Sequence, residues 1–130
     1  MRETRAARIE ARDGLLFVRI RPGVHQTLDD ARENLDACTL ESGGERCGLL
    51  LDISQAVPLD PTVRHFYRGP AVDGVCSALA LVVEVSPLGR MMGNVYMRVA
   101  KLGVPTRIFD REQEAISWLK VASRGQRVRA

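Results

Sequence analysis

A chain of 130 residues with 45% hydrophobic side chains is long enough for one domain with its own core and too apolar to stay disordered. Its formal net charge of +3 sits at the ends, because residues 1–8 contribute +2, residues 121–130 contribute +3, and the stretch between them carries −2. That leaves no basic body for nucleic acid, and the longest unbroken apolar run, Ala78 to Val83, is far too short to span a bilayer.

Three cysteines, Cys38, Cys47 and Cys76, form an odd set with no Cys-x-x-Cys pair and apolar neighbours. They read as small core residues of a reduced, cytoplasmic protein. The N-terminus is charged from Arg2 onward and carries no signal-peptide apolar segment.

Residues 1–5 are expected to be loose. From Arg8 to Arg12 the chain alternates, with Ile9 and Ala11 on one face. Asp13-Gly14 predicts a two-residue hairpin, since Gly supplies the positive φ that a type I′ turn needs. Leu15 to Ile20 returns as a second strand, with Leu16, Val18 and Ile20 on one side and Leu15 and Phe17 on the other. Pro22-Gly23 ends it. Thr27 caps the first helix, Asp29 and Asp30 occupy the first turn where the helix dipole favours acid, and Leu28, Ala31, Leu35 and Cys38 form the apolar stripe. The Glu-Ser-Gly-Gly at 41–44 breaks the helix.

Cys47 to Asp52 reads as a parallel strand, apolar toward both faces and polar where it leaves the sheet. Asp60-Pro61 then starts a helix, an N-cap followed by a proline at the first helical position. That helix runs to about Arg68 with Val63, Phe66 and Tyr67 inward, and Gly69-Pro70 ends it through a left-handed exit. Val75 to Val85 reads as the most buried strand. Ser86-Pro87 repeats the cap-and-proline device before a helix carrying Leu88, Met92, Val95, Val99 and Leu102, stopped by Gly103 and Pro105. Thr106 to Phe109 is a short strand. Asp110 with Gln113 predicts a capping box for the last helix, which packs through Ala115, Ile116, Trp118 and Leu119. Residues 123–130 are expected to form a flexible tail. The order ββαβαβαβα predicts a single α/β domain over residues 1–130, with a mixed, mostly parallel five-stranded sheet and four main helices.

This order, with the strand end Leu51-Asp52-Ile53, the Ala-rich run closing on Ser86-Pro87, Asn94, Pro105 to Phe109, and Glu114-Ala115 with Trp118-Leu119, resembles the SpoIIAA-like STAS/SEC14 domain proteins of bacteria. The resemblance covers about residues 8–120. It implies a SpoIIAA-like fold, which by itself carries no function. The anti-sigma-factor antagonists of that family carry Asp-Ser-Ser-Gly at the start of the helix after this strand, and the partner kinase phosphorylates the second Ser. Here the corresponding residues are Asp60-Pro61-Thr62-Val63. Asp60 and Thr62 match in type while Pro61 and Val63 depart from it, which makes Thr62 at most a vestigial phosphate acceptor.

The candidate regulatory residues are therefore Asp52, Ser54, Asp60, Thr62 and Arg64. Asp52 and Asp60 as an acid–base pair is weaker than the simpler reading, a strand-end Asp bonding loop amides and an N-cap Asp. Cysteine with His25 or His65 makes no recognisable nucleophile and base, and no ligand spacing suggests a metal. Arg90, Asn94 and Arg98, with Lys101, step along the polar side of the helix at 88–102 as a secondary surface. Met91, Met92 and Met97 on that helix are core filler or an adaptable contact. These features lead to a non-catalytic regulatory or protein-interaction module of the STAS type, with no enzyme activity and no cofactor. It is expected to be cytoplasmic, to engage a protein partner and to form a homodimer. The alternative is a small lipid or apolar-ligand binding protein.

Overall fold

The computed structural model describes residues 1–83 and 103–129, with side chains through residue 123. The sequence alternation that predicts the first two strands forms a hairpin of β2 (Ala7–Arg12) and β3 (Leu15–Ile20). Asp13 and Gly14 both take positive φ, 53° and 78°, as a type I′ turn demands. In β3 the two sides divide as read: Leu16, Val18 and Ile20 enter one core, Leu15 the other.

Helix α1 (Leu28–Glu41) follows, with β4 (Cys47–Asp52), α2 (Pro61–Tyr67), the short α3 (Pro70–Asp73), β5 (Cys76–Val82), β6 (Thr106–Phe109) and α4 (Glu112–Arg129) after it. One strand more than expected is present. Arg2–Glu3 forms β1 and pairs antiparallel with Arg8 and Ile9, so the sheet has six strands in the order β1-β2-β3-β4-β5-β6. Its first three strands are antiparallel neighbours, and from β3 onward every pair is parallel. A two-residue strand carries no alternation to read. The predicted helix at 88–102 lies outside the described residues.

The sheet is covered on both faces. On one face α1 and the α2–α3 segment close over Ile9, Leu16, Val18, Ile20, Leu49, Leu79 and Leu81. On the other, Ala115 and Leu119 of α4 pack on Leu15, Leu50, Ala78, Ala80 and Phe109. Small residues make the second contact close. Gly48 pairs with Ala78, and a Cβ on Gly48 would meet Leu15 Cδ2 at 2.8 Å and both Leu119 Cδ2 and Ser123 Cβ at 3.3 Å. A bulge at Cys47/Gly48 shifts the register against β5, whose seven residues are all buried.

Helix ends differ in instructive ways. Thr27 caps α1 as predicted, and Asp30 completes a reciprocal capping box with it. At the other end the Gly44 N–H donates to the Thr39 carbonyl and the Gly43 N–H to Leu40, with both glycines at positive φ. That is the Schellman arrangement. The left-handed exit expected at Gly69 is absent: φ there is −80°, and Gly69 instead precedes α3, which starts on Pro70. A side chain at Gly69 would press on the Phe66 carbonyl at 3.2 Å. Helix α4 starts at Glu112, with the Ala115 N–H donating to the Arg111 carbonyl, so Asp110 lies one residue outside the cap. Its backbone stays helical to Arg129, where a flexible tail is expected from the sequence over 123–130.

Candidate functional site

Five of the residues singled out in the sequence lie between the carboxyl end of β4 and α2. Asp52 ends the strand. Its Oδ1 accepts the Ser54 N–H at 3.0 Å, and Arg19 Nε lies 3.2 Å from its Oδ2. This is the loop-bonding Asp of the simpler reading. Asp60 occupies the N-cap position of α2, yet its side chain makes no cap hydrogen bond. Its Oδ2 lies 2.9 Å from His25 Nε2 instead. The two aspartates thus serve different partners. Thr62 is exposed, and Ser54 and Arg64 are half-buried. Arg64 stands in the wall of a cavity.

That cavity is the feature the sequence did not announce. It measures about 90 Å³ and lies between the sheet, α1 and the 53–68 segment. Its walls are largely aliphatic, among them Ile20, Leu35, Leu49, Leu51, Ile53 and Leu79, with Cys38 of α1, Arg64 of α2 and Arg68 just after that helix. It lies beneath α2, whose only buried residue is Val63.

A polar network holds one side of this cavity. The Tyr67 hydroxyl donates to Gln26 Oε1 at 2.7 Å, and Asn34 Nδ2 donates to the Tyr67 oxygen at 3.2 Å. Thr4 Oγ1 then donates to Asn34 Oδ1 at 2.5 Å. Gln26, Asn34 and Thr4 are all buried. Burial pushes the Tyr67 hydroxyl up to about 12, because the anion would lose its water. Beside the network, Arg5 donates to Asp30 from two nitrogens and to the His25 carbonyl. The Arg5 hydrogen bond and those from Thr27 hold the Asp30 carboxyl well below the ordinary carboxylate range against the cost of burial. The signal for the network was Asn34, a polar residue inside the helical stripe of Ala31, Leu35 and Cys38.

Cys38, Cys47 and Cys76 are all buried and unbridged. Burial pushes the Cys38 and Cys76 thiols up to about 12, which keeps them protonated and poorly nucleophilic. Among the described residues no group of three or more His, Cys, Asp or Glu is arranged to hold a metal ion, and no helix is long and apolar enough to cross a membrane. Arg90, Asn94, Arg98 and the three methionines at 91, 92 and 97 lie outside the described residues.

The six-stranded, mostly parallel sheet with helices on both faces defines a SpoIIAA-like α/β fold. A crystal structure of an uncharacterised protein of the DUF3478 family from Shewanella loihica PV-4, itself described as having a SpoIIAA-like fold, matches with a TM-score of 0.60. The match covers 88% of this chain and 92% of that one at 14% sequence identity. The resemblance read from the sequence is borne out at the level of the fold. Residues 9–123 match the domain of unknown function DUF7793, and the chain belongs to that family. No curated protein matches the sequence.

Proposed function

We propose that this chain is a non-catalytic protein-interaction module of the STAS type, working through the face of residues 60–68. The supporting observation is the mounting of α2. Val63 is the helix's buried residue and Tyr67 ties it to Gln26 and Asn34, while Pro61, Thr62, His65 and Arg68 are exposed beside the carboxyl end of β4. Sites in α/β sheets gather at that end. The SpoIIAA-like fold agrees with this reading, since the family's antagonists present the same helix to a partner kinase. The reading places the protein in the cytoplasm and allows a homodimer, which light scattering at micromolar concentration tests. The direct experiment is affinity capture from the native host with the wild type, His65→Glu and, as a control on the exposed side of α4, Lys120→Glu. A partner held by the wild type and Lys120→Glu but lost from His65→Glu supports the module. Equal capture by all three rejects the face.

The cavity supports the second reading, an apolar-ligand binder, in a restricted form. Sites for drug-sized ligands span roughly 300–1,000 Å³, so about 90 Å³ does not enclose a whole lipid. Its volume and aliphatic lining suit a small apolar body. Shifts of the Leu49 and Ile53 methyl resonances on adding 1-butanol test that, and their absence rejects it.

A further inference from the structure

We infer that the cavity beneath α2 binds a small amphiphilic anion, a short-chain carboxylate whose aliphatic end lies among Leu49, Ile53 and Leu79 and whose charge is met by Arg64. This rests on the apolar-ligand reading above and adds the charge and the size of the ligand.

Size comes first. An apolar cavity of roughly 150 Å³ stays dry and takes benzene. About 90 Å³ is some three-fifths of that, room for a short or branched aliphatic end on the order of four carbons. Water is a poor occupant, because the lining is aliphatic and a buried water needs two to four polar partners. The uncharged polar side chains Tyr67, Gln26 and Asn34 in the wall are already engaged. Tyr67, Gln26 and Asn34 bond to one another and to Thr4.

The charge follows from Arg64. It is half-buried in the cavity wall, and no ion pair to its guanidinium is found among the described residues. The acid best placed to serve it, Asp60 one turn earlier on α2, lies against His25 instead. Arg68, one turn later, borders the cavity too. A cation in the wall of an apolar cavity, with the nearby carboxylate given to another residue, suits a ligand that brings its own anion. A guanidinium matches a carboxylate in shape as well as charge.

The test is a methyl-NMR titration of the full chain with butyrate, isovalerate, hexanoate and dodecanoate, alongside 1-butanol and 1-hexanol. The short carboxylates should shift the Leu49, Ile53 and Leu79 methyls and bind about five- to tenfold tighter than the matching alcohols. Arg64→Gln should bring the carboxylates down to the alcohols' affinity and leave the alcohols unchanged. Ala56→Leu, a loop substitution in the cavity wall, should abolish both kinds of binding while the melting temperature is kept. Carboxylates binding no better than alcohols would overturn the anion assignment and leave the apolar-ligand reading standing. Silence of the methyls toward every probe would overturn both. Dodecanoate binding tightest of all would overturn the size limit.

Discussion

His25 Nε2 lies 2.9 Å from Asp60 Oδ2, tying the segment before α1 to the start of α2 across the rim of the sheet. Asp60 stands at the N-cap and does not cap. Loss of an N-cap bond costs about 1 kcal/mol, whereas an exposed ion pair contributes about 0.2–1 kcal/mol. Both side chains here are more than half exposed, 63% and 56%. Asp60→Ala should therefore lower stability by less than about 1 kcal/mol, and His25→Ala by the same amount. The double variant should cost no more than either one in urea unfolding. Additive losses would show that Asp60 acts on α2 independently of His25.

Asp30 sets the acid side of stability. Its carboxyl is held below the ordinary range by the Arg5 hydrogen bond first and the Thr27 bonds after it. A depressed folded-state pKa favours the charged form in the native protein. Its contribution is therefore full above the unfolded value of about 3.9 and is lost as pH falls toward the folded one. The stability gap between the wild type and Asp30→Asn should be constant from pH 5 to 7, begin to narrow below about pH 4 and go on narrowing as the pH falls toward the folded value. A gap that holds through pH 3 would contradict this assignment.

Gly48 lies where α4 crosses the sheet. A methyl group added there would sit 2.8 Å from Leu15 Cδ2, and Leu15 is only 3% exposed, so it has little room to yield. Overpacking of this kind costs about 1–3 kcal/mol. Gly48→Ala should lose that much in chemical denaturation and keep its far-ultraviolet circular dichroism.

Much of this was open to reading in the chain because its signals were local. Asp13-Gly14, Thr27, Gly43-Gly44 and the alternation of Leu15 to Ile20 each depend on a few adjacent residues. The pieces that escaped depend on distant partners. Asp60 looked like a cap because capping is the local rule, and His25, 35 residues earlier, took its carboxylate. The cavity draws its walls from α1, the sheet and α2 at once, and no segment alone contains it. Arg2–Glu3 is a strand only because Arg8 and Ile9 are there to pair with it.

Thr62 is exposed at the second position of α2, and its side chain makes no hydrogen bond among the described residues. Surface changes away from capping or packing usually stay within about 0.5 kcal/mol, so Thr62→Ala should leave the melting curve nearly unmoved. If Thr62 is vestigial as a phosphate acceptor, the same variant should also capture partners as the wild type does. Phosphothreonine at this position in protein from the native host, with regulation lost in Thr62→Ala, would restore the antagonist mechanism.

The strongest single dependence lies in the chain Thr4–Asn34–Tyr67–Gln26. Asn34 is 4% exposed, accepts from Thr4 on one atom and donates to Tyr67 and Gln26 from the other. It therefore joins the N-terminal segment, α1 and α2 through one side chain. Asn34→Ala removes bonds in both directions and leaves the buried Thr4 hydroxyl to find another acceptor. An unsatisfied buried group costs about 1–3 kcal/mol, and the space left beside the cavity adds to that. Tyr67→Phe removes the hydroxyl and with it the desolvated group, so it should cost less, about 1 kcal/mol. The two changes share a bond, and their effects should fall short of additivity. Amide exchange should speed up at residues 2–8 in Asn34→Ala and stay slow there in Tyr67→Phe, because of these two residues Asn34 alone bonds to Thr4. Equal protection of residues 2–8 in both variants would show that β1 is secured by Arg5 and the Glu41 pairs with Met1 and Arg2 without help from the buried amide.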